Sequence, residues 1–209
     1  MPPRPTARPT RVLLATAVVA LAAGCSSAPP GEGVDGSPRE VGEVTMGYGE
    51  VLRQLEKRGA PLERGSELER QAIARFQALL GDFKAPDFRS RVREVYAPGV
   101  WFNDTLKTIE GVEALEKYLG KSGDALEIGT VEFLDLVVSN GNYYFRWEMS
   151  LRFARFDRGT THRSIGMSHV RFDHQGRVVL HQDFWDSSAG LFEHVPGLGW
   201  LLRRAKSRA

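Results

Sequence analysis

Tyr143-Tyr144-Phe145-Arg146-Trp147-Glu148-Met149-Ser150-Leu151-Arg152-Phe153 is the stretch on which the fold turns. Tyr143, Phe145, Trp147, Met149, Leu151 and Phe153 occupy every second position, the period of a strand. The alternation extends over Leu126 to Asp186, broken by turn sequences at Ser139-Asn140-Gly141-Asn142, Asp157-Arg158-Gly159 and Asp173-His174-Gln175-Gly176. This predicts long antiparallel strands. Ordinary strand logic puts the apolar row in the core and leaves Arg146 and Glu148 in water as a cross-strand charge pattern.

Toward the N-terminus the period changes from two to 3.6. Ser66 and Glu69 have the spacing of a capping box, and Leu68, Ala72, Phe76, Leu79, Leu80 and Phe83 follow at helical spacing, predicting a helix from about Glu67 to Leu80. A second helix is predicted from near Asp87, with Phe88, Val92 and Val95 inward, stopping before Ala97-Pro98-Gly99 because proline disfavours helix in the residue before it. A third is predicted over Gly111 to Leu119, with Gly120 as its stop. Short helices followed by a curled antiparallel sheet make an α+β domain, placed at residues 66–188.

Residues 1–24 read as an export signal. Arg4, Arg8 and Arg11 precede an apolar run, Val12 to Ala23, of about a dozen residues, too short for a spanning helix of roughly 20. Leu21-Ala22-Ala23-Gly24-Cys25 resembles the bacterial lipobox, in which the Cys receives diacylglycerol and becomes the new N-terminus. Cys25 is the sole cysteine, so it has no internal disulfide partner, and lipidation explains it better than redox chemistry. A cleaved signal with a free Cys is the bland alternative. Ser26 after the Cys points to the outer membrane, giving a lipid-anchored protein of the bacterial cell envelope on its periplasmic face. Residues 25–65 shift to Pro, Gly, Ser and Glu and read as a flexible tether reaching roughly 35 Å, with a faint helical pattern at Glu50 to Arg58.

A formal charge of +2, with Arg and Glu interspersed, argues against nucleic acid as a partner. Residues 189–209 run apolar (Leu198, Trp200, Leu201, Leu202) and then basic (Arg203, Arg204, Lys206, Arg208). Two readings stand open: an amphipathic helix on an anionic membrane surface, or a lid packed over the domain.

Tyr96-Ala97-Pro98-Gly99-Val100-Trp101-Phe102-Asn103, then Glu110-Gly111-Val112-Glu113-Ala114-Leu115, then strands ending in His181-Gln182-Asp183-Phe184-Trp185-Asp186 resemble the nuclear transport factor 2-like superfamily, and within it the SnoaL-like polyketide cyclases and limonene epoxide hydrolases. The resemblance implies a cone-shaped curved antiparallel sheet around about three N-terminal helices, with a blind apolar pocket. By the epoxide hydrolase pattern it also implies roles for Asn103, Arg146, Glu148 and Asp183. Asp183 would be the general base on a water held by Asn103, Glu148 the acid, and Arg146 the bridge that keeps one carboxyl charged and the other protonated. Trp101 and Trp185 would line the pocket. The family pattern has Tyr where Trp101 stands and Asp where Glu148 stands.

These roles require Arg146 and Glu148 to line the cone and the aromatic row to face outward, the reverse of the plain strand reading. A covered outer face then implies a homodimer, or the C-terminal segment folded over it. His181 and Asp183, two apart on one strand, face the same way and form a candidate acid/base couple of the cyclase or isomerase type, the alternative being a half-buried strand histidine. No spacing signals a metal, nucleotide, flavin or other cofactor. The expectation is an envelope lipoprotein that binds a small hydrophobic molecule in its cone, with acid/base chemistry of the hydrolase or isomerase/cyclase type. The alternative is a non-catalytic lipoprotein that binds another envelope protein or the membrane surface.

Overall fold

The computed structural model describes residues 43–57, 62–155, 159–187, 204 and 207. The export signal, Cys25, the turn at Asp157-Arg158 and all of 189–209 except Arg204 and Ser207 lie outside the described residues. Among the described residues no helix is long and apolar enough to cross a membrane.

Helix α1 spans Glu43–Glu56, within the stretch read as tether and starting well before the faint pattern at Glu50. Helix α2 spans Glu67–Leu80, as its periodicity predicts. Ser66 Oγ accepts the Glu69 amide of the first turn at 3.1 Å, while the Glu69 carboxylate turns back to accept Gly65 N–H, just before the cap, at 2.6 Å. Tyr143 Oη donates to the same carboxylate at 2.8 Å and ties the helix to the sheet. Helix α3 spans Phe88–Val95 and runs directly into strand β1, Tyr96–Asn103.

Helix α4 spans Val112–Asp124, so Gly120 does not stop it. Its glycines serve close packing instead. A Cβ on Gly120 would collide with the Arg89 guanidinium of α3, and one on Gly123 would lie 2.7 Å from the Phe83 carbonyl oxygen.

Strands β2 (Thr108–Glu110), β3 (Leu126–Ser139), β4 (Asn142–Phe153), β5 (His162–Phe172) and β6 (Val178–Trp185) complete a curved, unclosed six-stranded sheet in the order β2-β1-β6-β5-β4-β3. The expected all-antiparallel pairing fails at one place, since β1 and β6 run parallel. The β3–β4 turn takes positive φ at Asn140 (49°) and Gly141 (73°), the two-residue geometry that matches strand twist.

The register separates the two faces. Tyr143, Val170 and His181 stand opposite one another, as do Phe145, Ser168 and Asp183, and Trp147, Gly166 and Trp185. These rows turn inward to the helices. Phe76 of α2 sits among them, 4.9 Å from Phe145, 5.8 Å from Phe133 and 5.2 Å from His181, centroid to centroid. The alternate rows, Tyr144 with His169 and Gln182, and Arg146 with Met167 and Phe184, turn outward. Gly166 leaves room for two indoles, because a Cβ there would lie 2.8 Å from Trp185 Cβ and inside the Trp147 ring.

Candidate active site

A buried chain of hydrogen bonds crosses the inner face of β1, β6, β5 and β4. Tyr96 Oη lies 2.8 Å from His181 Nδ1, and His181 Nε2 lies 2.8 Å from Asp183 Oδ1. Ser168 Oγ donates to the same oxygen at 2.5 Å and accepts the Trp147 indole N–H at 2.8 Å. Donor chemistry fixes the direction. An indole only donates and a carboxylate only accepts, so the serine proton points at Asp183. In the tautomer that donates from Nε2 to the carboxylate, Nδ1 is bare and accepts the Tyr96 O–H.

Tyr96, His181, Ser168 and Trp147 are all buried, whereas the Asp183 side chain keeps 15% of its surface exposed. Both hydrogen bonds to the Asp183 carboxylate among the described residues end on Oδ1. Oδ2 is therefore the oxygen available to a proton on a bound molecule. Burial first, and the Asp183 charge second, hold the Tyr96 phenol well above its usual range, so it stays a neutral donor. The imidazole is walled by Phe102 at 5.0 Å and Phe76 at 5.2 Å, both edge-on, and by the parallel Tyr96 ring at 6.0 Å.

A second polar group stands within the electrostatic reach of Asp183. Tyr118 Oη donates to Asp104 Oδ2 at 2.6 Å, the amides of Leu106 and Lys107 donate to Oδ1, and Trp185 Nε1 donates to the Asp104 carbonyl at 2.8 Å. Burial pushes the Asp104 carboxyl up, opposed by those hydrogen bonds and reinforced by Asp183. Burial and then Asp104 push the Tyr118 phenol up as well. Asp104 is thus a second carboxyl that feels the charge of Asp183, while Glu148 lies on the other face.

The expected quartet is not assembled. Arg146 is exposed on the outer face, and Glu148, on the same face, accepts from Arg163 at 3.1 Å. Tyr143, Phe145 and Trp147 alternate with them and fill the core, so the plain strand reading holds and the reversal required by the resemblance does not. Asn103 is buried but occupied elsewhere: Nδ2 donates to Thr108 Oγ1 at 2.7 Å, and Oδ1 accepts Gln182 Nε2 at 3.1 Å and the Thr105 amide. It pairs with Gln182, the outward neighbour of Asp183. Trp101 also faces outward, 6.1 Å from the Tyr48 ring of α1. Of the residues singled out in sequence, Asp183, His181 and Trp185 share the inner face, and Asn103, Arg146, Glu148 and Trp101 do not. The reason is parity, since a one-residue offset in a strand sends a side chain to the other face.

Tyr96, Ser168, Trp147, Asp104 and Tyr118 were not singled out as site residues. Tyr96 carried a local signal as the first residue of the motif that suggested the fold, and Trp147 as a member of the apolar row. The others meet Asp183 through strand register and the β1–β2 turn. Two surface cavities lie away from this inner site. One of about 220 Å³ is bounded by Phe83, Pro86, Arg89 and Asp124, and one of about 410 Å³ lies between α1 and the outer sheet face.

Residues 72–181, more than half of the chain, match the family model of the SnoaL-like domain. No curated protein matches the sequence. Among solved structures, a protein assigned as a SnoaL-like polyketide cyclase from Jannaschia sp. CCS1 superposes with a TM-score of 0.51 at 16% identity, covering 61% of this chain and 96% of that one. A similarly assigned protein from Shewanella denitrificans OS-217 gives 0.50 at 14% identity, covering 59% and 94%. An LEH-like epoxide hydrolase of M. tuberculosis gives 0.49 at 14% identity, covering 68% and 97%. At such identities the likeness is one of fold.

Proposed function

This chain belongs to the SnoaL-like domain family, with the nuclear transport factor 2-like fold, and on that premise we propose that it takes up a small apolar molecule on the inner face and moves a proton on it with Asp183. The observation that carries the reading is the Tyr96–His181–Asp183–Ser168 chain, in which two donors converge on Oδ1 and leave Oδ2 at the one partly exposed point. Such an arrangement suits abstraction of a proton next to a carbonyl and its return to another carbon, the isomerase or cyclase type of step. Epoxide opening is less well supported, because Arg146, Glu148 and Asn103 stand on the other face.

Asp183 is the base in this reading. His181 holds its orientation by donating from Nε2 to Oδ1, the abstracted proton stays on Oδ2 until it is returned to the other carbon, and Tyr96 fixes the imidazole tautomer. The lipobox-like Cys25 supports attachment to an envelope membrane, and the basic end of the chain supports contact with its anionic surface. The cell-envelope location and the lipid rest on those sequence features. The aromatic row faces the core and needs no second copy to cover it; exposed Ile165, Met167 and Phe184 on the outer face are what supports a homodimer.

The test is solvent deuterium uptake, by NMR, into a panel of apolar cyclic and β,γ-unsaturated ketones, with wild type beside Asp183→Asn. Exchange or double-bond migration that depends on Asp183 is the expected result. Ligand binding by native mass spectrometry without exchange in any variant would instead establish a binding module. That second reading is favoured by one observation: the aromatic wall around His181 is also what a satisfied core histidine needs.

A further inference from the structure

Helix α1 precedes the segment that matches the family, which begins at residue 72. It meets the outer face through Tyr48. That ring lies 6.1 Å from Trp101, and edge-on 5.8 Å from His169 and 6.0 Å from Phe184. Its hydroxyl is 2.7 Å from His169 Nδ1. Farther along the helix, Val51, Gln54 and Leu55 stand off from Ala97, Trp101 and Val179 across the cavity of about 410 Å³.

The remaining side-chain hydrogen bonds of α1 among the described residues, from Arg53 and Gln54 to Glu50, stay within the helix. Among the described side chains of α1, Tyr48 is therefore the one polar fastening to the sheet. An amphipathic helix of this length has little stability of its own in water and depends on such packing.

The roles at His169 are fixed by its neighbours. Nε2 faces the Asn142 Oδ1 acceptor at 2.8 Å, and the Asn142 amide nitrogen is turned to the Ser139 and Asn140 carbonyls. So Nε2 carries the hydrogen, and Nδ1 accepts from Tyr48.

We propose that α1 is a reversible strap on the outer sheet face, fastened by the Tyr48–His169 hydrogen bond and released by mild acid to uncover Trp101, His169 and Phe184. A proton on Nδ1 would confront the Tyr48 O–H with a second donor and force the hydroxyl to turn. The groups meeting the ring are Tyr48 from α1, Asn142 and Tyr144 from β4, Gln182 across the register on β6 and Arg171 from its own strand, with His181 acting through β6. None is a carboxylate, so among the described residues no partner compensates the added charge. Burial, then Arg171 and His181, lower the docked imidazole from 6.5 to about 4. With the strap off, water reaches the ring and its affinity for a proton rises. The ratio of docked to released α1 therefore falls as the pH drops below 6.5, by up to roughly 30-fold at pH 5.

Hydrogen–deuterium exchange of the α1 amides in the full chain tests this, at pH 7.5 and 5.0 after correction for intrinsic rates. Wild type should lose protection in α1 at pH 5.0, by up to roughly 30-fold, while the Tyr143–Phe145 amides of β4 keep theirs. Tyr48→Phe keeps the ring and removes the bond, so its α1 should exchange fast already at pH 7.5. His169→Gln should remove most of the pH dependence. Equal α1 protection at both pH values, an unaltered Tyr48→Phe, or loss of protection in α1 and β4 together would overturn the strap.

Discussion

Ser168 Oγ lies 2.5 Å from Asp183 Oδ1, directly across the β5–β6 register, and receives the Trp147 indole N–H from its other side at 2.8 Å. One hydroxyl thus joins a buried donor that needs an acceptor to a carboxylate that needs a donor. Ser168→Ala leaves the Trp147 N–H unpaired in the core, at about 1–3 kcal/mol. Urea denaturation should show the midpoint falling with the slope unchanged. A loss below about 0.5 kcal/mol would mean that the indole finds another acceptor.

Tyr96→Phe isolates the other end of the chain. The ring and its parallel contact with His181 are kept, and only the hydroxyl at Nδ1 is removed. An unpartnered nitrogen inside an aromatic wall should destabilise the fold by roughly 1–2 kcal/mol. Imidazole ¹⁵N shifts give a sharper reading: wild-type His181 should show a protonated Nε2 and a bare Nδ1 at neutral pH. The opposite tautomer in wild type would reverse the direction of the whole chain.

The fold was far more legible than the site. Glu67–Leu80 could be bounded from a cap and a 3.6 period, and the β3–β4 turn from Asn140-Gly141, because both signals are local. Gly120 misled, because a glycine that makes space for Arg89 looks in sequence like one that ends a helix. The site failed at parity. Arg146 and Trp147 are adjacent, and only the pairing of Trp147 with Gly166 and Trp185 shows which of them faces the helices. Alternation had already put Trp147 in the core, and the imported residue pattern argued against it. Ser168 and Asp104 could not be found locally at all, since a serine in a strand and an aspartate in a turn are ordinary until register brings them to Asp183.

The two faces make opposite demands on Glu148 and Asp183. Glu148 pairs on the outside with Arg163, whose side chain is 72% exposed, so Glu148→Gln and Arg146→Ala should each shift stability by no more than about 0.5 kcal/mol. Both should also leave any proton exchange on bound ketones unchanged. Asp183→Asn, with nearly the same shape, should abolish it. If Glu148→Gln abolished exchange, Asp183 and Glu148 would have to work together and the inner-face assignment would fail.

Gly166 carries a packing prediction. Its missing side chain is the space taken by the Trp147 ring and Trp185 Cβ, and neither strand can retreat without breaking the β4–β5–β6 ladder. Gly166→Ala should cost about 1–3 kcal/mol by overpacking, although alanine suits a strand better than glycine does. Thermal unfolding with near-ultraviolet circular dichroism of the tryptophans reads both the loss and the displaced rings. A variant as stable as wild type would mean that the indoles have room to move.

His169 gives the fold a defined acid weakness. Its imidazole is lowered from 6.5 to about 4 by burial first, then by Arg171 and His181, so the unfolded chain binds a proton there at a pH where the folded chain does not. Between those values the unfolded state holds more protons, and stability must fall as the pH is lowered. The loss begins near pH 6.5, reaches at most roughly 3 kcal/mol near pH 4 for a docked α1, and levels off earlier once α1 is released. His169→Gln cannot take up the proton, and every other titrating group is common to both proteins. The stability of wild type relative to His169→Gln should therefore drop by up to that amount between pH 7.5 and pH 4, measured by urea denaturation at each pH. A constant difference over that range would show that His169 titrates alike in the folded and unfolded chains, and that the ring is not sealed by Tyr48, Tyr144 and Asn142.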